Sequence, residues 1–166
     1  MLLFSVPAQA QKLDPVQWTL TSAQTKIAPG GTVAARLTAK LEPGWHLYSP
    51  TTPPGGPIPT SLKLDDNPAL DKVAVYQPQP ERKFDPNFNL NVEWFQNQVD
   101  FLVSATLKKD APAGPLDLTA LVRYQACDDR QCYAPKEVPL DFDVKVQRGA
   151  GGHTGRNPGQ SPNVHR

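Results

Sequence analysis

Cysteine and methionine are nearly absent: two cysteines and one methionine in 166 residues. At most one internal disulfide can form, so a fold held by a disulfide framework is excluded. Charge of one sign is also missing. Lys+Arg 17 against Asp+Glu 16 leaves a formal charge of +1, and no global field draws the chain to nucleic acid or an anionic membrane. No run beyond the N-terminus approaches the ~18 apolar residues of a membrane span. No window of helical length keeps apolar residues at i, i+3, i+4 and i+7, and no period of about 20–50 residues suggests a propeller or solenoid. Glu93 and Glu137 form no acid pair, and there is no Ser/His/Asp arrangement or phosphate-cradling glycine loop, so hydrolase and nucleotide-binding readings lack residues to carry them.

What the sequence does contain is alternation. Val33, Ala35, Leu37, Ala39 and Leu41 alternate with more polar neighbours, as do Val99, Phe101, Val103, Ala105 and Leu107. Similar runs are Val16-Trp18-Leu20, Leu62-Leu64, Val73-Val75, Leu116 to Tyr124, and Val138 to Val146. Period two marks half-buried strands, and the signals between them, such as Pro29-Gly30-Gly31 and Asp65-Asp66-Asn67-Pro68, mark turns. Seven or more short strands, with 19 prolines mostly at the joints, predict an all-β chain: an immunoglobulin-like antiparallel β-sandwich. The length suits one domain rather than two cores.

The ends differ from the middle. Residues 1–10 hold a short apolar run followed by Ala8-Gln9-Ala10, the small-x-small pattern read by a signal peptidase, though without a basic start. They are expected to be a signal-peptide remnant, with a mature soluble chain in an oxidising compartment. Residues 11–147 are expected to form the sandwich. Residues 148–166 are rich in Gly and polar residues and are expected to be a tail with too little apolar surface to fold; His153 and His165 within it are read as solvated rather than as metal ligands.

Cys127 and Cys132 are separated by Asp128, Asp129, Arg130 and Gln131, a length that suits a hairpin loop. Facing hairpin positions lie ~4.5–5.5 Å apart at Cα, within reach of a disulfide. Strand parity carried through Tyr124 and Ala126 turns Cys127 to the face away from the core, where it is expected to be accessible. Such a pair is a structural staple, half of a metal site, or a redox couple. A ring this small is worth only about 2 kcal/mol as a staple. Structural zinc needs four ligands, and beyond the cysteines only His46 and the tail histidines remain. A thioredoxin-type site needs Cys-x-x-Cys at a helix N-terminus, and neither the spacing nor the helix is present. The acids Asp128 and Asp129 oppose a thiolate and Arg130 favours one, so their net effect has no sign from sequence. Staple and redox couple both remain open on these grounds.

Tyr124-Gln125-x-Cys127, Cys132-Tyr133-x-Pro135 and Val138-Pro139-Leu140, with Pro43-Gly44-Trp45-His46-Leu47-Tyr48 and Gly56-Pro57-Ile58-Pro59-Thr60 upstream, resemble the N-terminal periplasmic domain of the transmembrane disulfide reductase DsbD. The resemblance covers roughly residues 14–146. It implies a periplasmic, cofactor-free thiol–disulfide exchange domain, a component of a protein-disulfide reductase. Such a domain takes electrons from a thioredoxin-like donor domain, itself reduced by a membrane electron-transfer domain. It passes them to thioredoxin-fold partners, namely a disulfide isomerase and the cytochrome c maturation thioredoxin. By position, Cys132 matches the cysteine that forms the mixed disulfide and Cys127 the one that resolves it. Phe88, in the segment 84–89, matches an aromatic cap over the cysteines. Tyr48 matches a site-lining tyrosine, and His46 stands where the family has another tyrosine. A protonated His46 would stabilise a neighbouring thiolate, whereas an exposed histidine on a strand is the plainer reading. Trp18, Trp45 and Trp94 are expected to pack in or near the core.

Two departures accompany the resemblance. The loop between the cysteines is one residue shorter than in the family member used for comparison, and the sequence stops before any membrane or thioredoxin-like domain, as a fragment or a free-standing relative would. The alternative function is a non-enzymatic immunoglobulin-like binding module whose stapled hairpin presents residues 128–131 and Tyr133. A weaker one is a degenerate relative that uses residues 53–59 as a contact surface.

Overall fold

A computed structural model of the protein describes residues 14–149. The expected signal remnant over 1–10 and nearly all of the expected tail over 148–166 lie outside the described residues. Within them the chain is all-β, and no helix is long and apolar enough to cross a membrane. The strands are β1 (Val16–Ser22), β2 (Lys26–Ile27), β3 (Thr32–Leu41), β4 (His46–Tyr48), β5 (Ser61–Leu64) and β6 (Leu70–Tyr76), followed by β7 (Glu81–Asp85), β8 (Leu90–Gln96), β9 (Gln98–Leu107), β10 (Gly114–Tyr124), β11 (Ala126–Cys127) and β12 (Lys136–Val146).

They form three four-stranded sheets, ordered β1-β3-β9-β6, β2-β12-β10-β5 and β11-β4-β8-β7. The first two face each other as an immunoglobulin-like sandwich. The alternating residues of β3 and β9 point inward as their period requires, with Leu37 and Phe101 fully buried beside Val122 and Tyr124 of β10. Phe101 stacks on Trp18 at 6.0 Å and meets Phe95 edge-on at 5.6 Å. A second apolar cluster fills the other end, from Val33, Ala105 and Leu107 to Leu118, Phe142 and Val144. Pairing is antiparallel except between β2 and β12.

The third sheet is built from extensions of sandwich strands. A turn from Glu42 to Trp45, closed by Trp45 N donating to Glu42 O at 3.1 Å, carries β3 into β4. Its third residue, Gly44, has φ +84°, the left-handed value this turn position demands. Asn97, at φ 63°, bends β8 into β9, and its carbonyl accepts from Leu41 N at 2.7 Å. Gln125 interrupts β10 before β11. The third sheet therefore continues from one end of the sandwich, and its inner strands β4 and β8 are buried on both faces. Leu47, Phe95 and Ala126 face the main core, while Tyr48, Val92, Trp94 and Cys127 form a separate cluster with half-buried Phe88, Leu90 and Cys132.

Candidate functional site

Cys127 and Cys132 are joined in a disulfide, Cα atoms 4.1 Å apart, across the mouth of a four-residue loop. Asp128 N donates to Gln131 O and Tyr133 N to Ala126 O, both at 2.9 Å, so the hairpin closes on either side of the bond. The loop is tightened by its own first residue. Asp128 Oδ1 accepts from the backbone N–H of Arg130 and of Gln131, each at 2.8 Å. These hydrogen bonds, that from Arg130 first, hold the Asp128 carboxyl below the usual carboxylate range.

The two sulfurs are not equivalent. Cys127 is completely buried and Cys132 half-buried. The expectation that Cys127 is accessible is therefore wrong, although the parity behind it is right. Cys127 does point away from the sandwich core, but on that face it packs with Tyr48, Val92 and Trp94, and Phe88 of the β7–β8 turn packs against the same cluster. The more exposed residue of the pair is Cys132.

The roof is the turn at residues 86–89. Phe88 meets Tyr48 edge-on at 6.1 Å and packs on the cluster that contains both cysteines. Asn87 Nδ2 donates to Asp128 O at 2.9 Å, tying the turn to the cysteine loop. Gly56 approaches from a third segment: a Cβ there would lie 3.0 Å from Leu90 Cδ2 and 3.5 Å from Phe88 Cβ, so the 53–59 loop lies close against the turn and a larger residue would need Leu90 to shift. Glu93 braces the hairpin from the other face of β8. Its carboxylate accepts from Thr51 Oγ1 at 2.6 Å and Arg82 Nε at 3.1 Å, and these bonds, Thr51 first, hold it below the usual range against burial.

His46 is 1% exposed, so its reading as a surface histidine is overturned. It is the direct cross-strand partner of Cys127, with Gln96 opposite on the other side. Its ring lies 3.9 Å from that of Trp94. Nε2 is 3.1 Å from the Tyr48 hydroxyl, which donates to Asp85 Oδ2 at 2.5 Å. Asp85 is fully buried, and its Oδ1 accepts from Asn87 N at 2.8 Å. Burial outweighs the pull of Asp85, Asp129 and Asp128 and lowers the His46 pKa, which favours the neutral ring. Burial, then the hydrogen bond to Asp85, raises the Tyr48 phenol far above its usual range, so it keeps its proton.

All five residues singled out from the sequence, Cys127, Cys132, Phe88, Tyr48 and His46, thus meet in one place. Sequence reasoning missed Asp85 and Asn87, which connect the roof to the network beneath it. The signal available was the run Asp85-Pro86-Asn87-Phe88, whose polar members flank the aromatic. Trp94 is buried but belongs to this cluster and not to the main core. Trp45 is half-buried and its ring meets that of Tyr133 at a tilt, centroids 4.6 Å apart, beside the loop. Phe84 packs in neither place and is 56% exposed. Among the described residues no group of three or more His, Cys, Asp or Glu side chains is arranged to hold a metal ion.

The family model for the N-terminal region of the thiol:disulfide interchange protein DsbD matches residues 11–143. Among solved structures, the N-terminal periplasmic domain of ScsB from Proteus mirabilis is similar with a TM-score of 0.60 and 18% identity, over 85% of this chain and 49% of that one. This chain thus spans about half of the ScsB domain's length. The DsbD N-terminal domain of Neisseria meningitidis in its reduced form is similar with a TM-score of 0.44 and 17% identity, over 69% of this chain and 82% of that one. No curated protein sequence matches.

Proposed function

This chain belongs to the family of DsbD N-terminal domains, a family of thiol–disulfide exchange, and from that premise we propose that it relays reducing equivalents in the periplasm between thioredoxin-fold proteins through Cys127 and Cys132. The observation that carries the reading is the asymmetric disulfide: one cysteine half-buried on a hairpin, its partner fully buried.

In the loading half-cycle a donor thiolate attacks Cys132 Sγ. The Cys127–Cys132 bond breaks, Cys127 leaves with the electron pair and takes up a proton, and the donor's second thiolate then displaces Cys132. Cys132 leaves as a thiolate, so two electrons and one proton have entered, and the donor is a disulfide. In the unloading half-cycle Cys132 thiolate attacks an oxidised partner, and Cys127 resolves the mixed disulfide, restoring the original bond and releasing the partner as a dithiol. Rates in both directions depend on thiolate fraction, leaving-group acidity and access. A buried Cys127 favours attack at Cys132, and it places the resolving sulfur out of reach of a second partner.

Phe88 acts in this reading as a lid that a docking partner displaces, with Tyr48 and His46 lining the space below. Donor and acceptors are the thioredoxin-like, isomerase and cytochrome c maturation proteins implied by the family resemblance. The test is trapping. Cys127→Ser, with Cys132 intact, should accumulate a mixed disulfide with a thioredoxin-fold partner, and Cys132→Ser should not. Equal partner binding by both variants without a covalent adduct would instead establish the stapled binding module.

A further inference from the structure

The hydrogen-bond directions beneath the disulfide leave one atom of His46 unused. The Tyr48 hydroxyl has a single proton, and it is given to Asp85 Oδ2. Toward His46 the same oxygen is therefore an acceptor, so Nε2 carries the proton that is shared over 3.1 Å. In a neutral imidazole that tautomer leaves Nδ1 as a bare lone pair. Nδ1 is buried and has no hydrogen-bond partner, an arrangement that costs roughly 1–3 kcal/mol unless something requires it. The residue directly across the strand pair is Cys127, and directly opposed side chains on one face lie with Cβ atoms ~4.5–5.5 Å apart. In the disulfide state Cys127 has no proton to offer.

Resting on the thiol–disulfide exchange reading above, we infer that His46 is the proton acceptor for the buried thiol of Cys127, and that Tyr48 and Asp85 position its ring and receive its charge. In the resolving step the Cys127 S–H proton passes to Nδ1. The Cys127 thiolate attacks Cys132 Sγ, the Cys127–Cys132 bond forms, and the bond from Cys132 to the partner breaks with its electron pair leaving on the partner's sulfur. The imidazolium proton then returns to that departing thiolate or to water. In the reverse direction the same nitrogen returns a proton to Cys127 as it leaves. Among the described residues, the charged groups that act on the ring are acidic: Asp85 from β7, and Asp128 and Asp129 from the cysteine loop. Each stabilises a transient imidazolium. Trp94 and Gln96, its neighbours on β8, carry no charge. An exchange domain that buries its resolving cysteine would otherwise leave that thiol protonated at neutral pH, because burial disfavours the thiolate.

The experiment mixes the reduced protein with the aromatic disulfide 5,5′-dithiobis(2-nitrobenzoate) and follows release of the coloured thiolate. A first phase reports attack by Cys132 and a second reports resolution by Cys127. In His46→Phe the second phase should slow by at least about ten-fold at neutral pH and should acquire the pH dependence of an unassisted thiol, consistent with loss of a general base. The first phase should hold within about two-fold of wild type. Tyr48→Phe, which keeps the ring and deletes the hydroxyl, should slow the second phase in the same sense. It serves as the test if His46→Phe does not fold. In Cys132→Ser, titration of the remaining thiol by its ultraviolet thiolate absorbance should give a lower pKa when His46→Phe is added, because the neutral ring no longer accepts the S–H hydrogen bond that stabilises the protonated thiol. An unchanged second phase and unchanged Cys127 titration in a folded variant overturn the inference. Absence of the first phase in wild type would count against the exchange reading itself, a separately visible failure.

Discussion

Asn87 Nδ2 donates to the carbonyl of Asp128 at 2.9 Å, and this one exposed bond joins the turn that carries Phe88 to the loop that carries the cysteines. As a single neutral hydrogen bond it contributes about 0.5–1.5 kcal/mol to holding the roof, beside the packing of Phe88 on Tyr48 and the cysteine cluster. Such a bond is weak enough for a docking protein to break. Asn87→Ala should therefore raise the rate of disulfide reduction by dithiothreitol by roughly two- to ten-fold, the equivalent of that energy. Phe88→Ala should raise it at least as much, with little change in the equilibrium potential. Stopped-flow reduction rates measure both, and rates equal to wild type would remove the lid role from Phe88.

The disulfide encloses four residues, and chain entropy assigns so small a ring about 2 kcal/mol. The sandwich core lies elsewhere, around Leu37, Phe101 and Val122. The Cys127→Ser/Cys132→Ser protein should remain folded in water and lose about 2 kcal/mol in urea unfolding, with an unchanged m-value. A loss above about 4 kcal/mol, or an unfolded chain, would mark the bond as a staple.

The sandwich was legible in the sequence because its strands are covered on one face. β3, β9 and β10 each alternate buried and more exposed residues almost without error, and half-covered strands are what period two reports. The third sheet was not legible as a sheet. β4 reads as three buried residues, and Val92 to Phe95 of β8 are buried without a break, because one face meets the main core and the other meets the disulfide cluster. Coverage on both faces erases alternation, and β11 is only two residues long. The same cause produced the error over Cys127: parity gives a direction but does not say what lies there.

The site residues were legible one at a time through the motifs that carry the resemblance, whereas the links between them were not. Asp85 reaches Tyr48 from 37 positions away, and Asn87 reaches Asp128 from 41. No local pattern encodes such pairings, since they depend on β8 pairing with β4 in the third sheet, which brings β7 and the β7–β8 turn to the cysteine loop.

Asp14 pins the first strand to the approach to the cysteines. Its Oδ2 accepts from the Tyr124 hydroxyl at 2.6 Å and from Lys136 Nζ at 2.8 Å, and its Oδ1 from Val16 N at 3.0 Å. Burial alone would raise this carboxyl, but the bonds from Lys136, Tyr124 and Val16 together hold it below the usual range. Asp14→Ala strands a buried phenol three residues before Cys127 and should cost about 1.5–3 kcal/mol, the range for hydrogen bonds to a charged group. Chemical denaturation at neutral pH gives the number. Because the folded pKa is the lower one, the contribution is present above about pH 3.9 and fades as pH falls below it.

His46 titrates in a different window. Its folded pKa is lowered by burial, so at mildly acidic pH the unfolded chain binds a proton that the folded chain refuses. Stability rises with pH wherever the unfolded state holds more protons. The contribution of a neutral His46 is therefore present above the unfolded value of about 6.5 and is lost as pH falls from there toward the folded value. Asp14, Glu93 and Asp128, whose folded values are also lowered, lose their contributions only below about pH 4. The interval from about pH 6.5 to about pH 5 thus isolates the histidine. Wild type should lose thermal stability steadily across it, and a folded His46→Phe protein should show a flatter profile. Equal slopes in the two proteins would mean that the ring takes up a proton as readily in the fold as out of it. The lone pair at Nδ1 would then already be occupied before Cys127 has a proton to give.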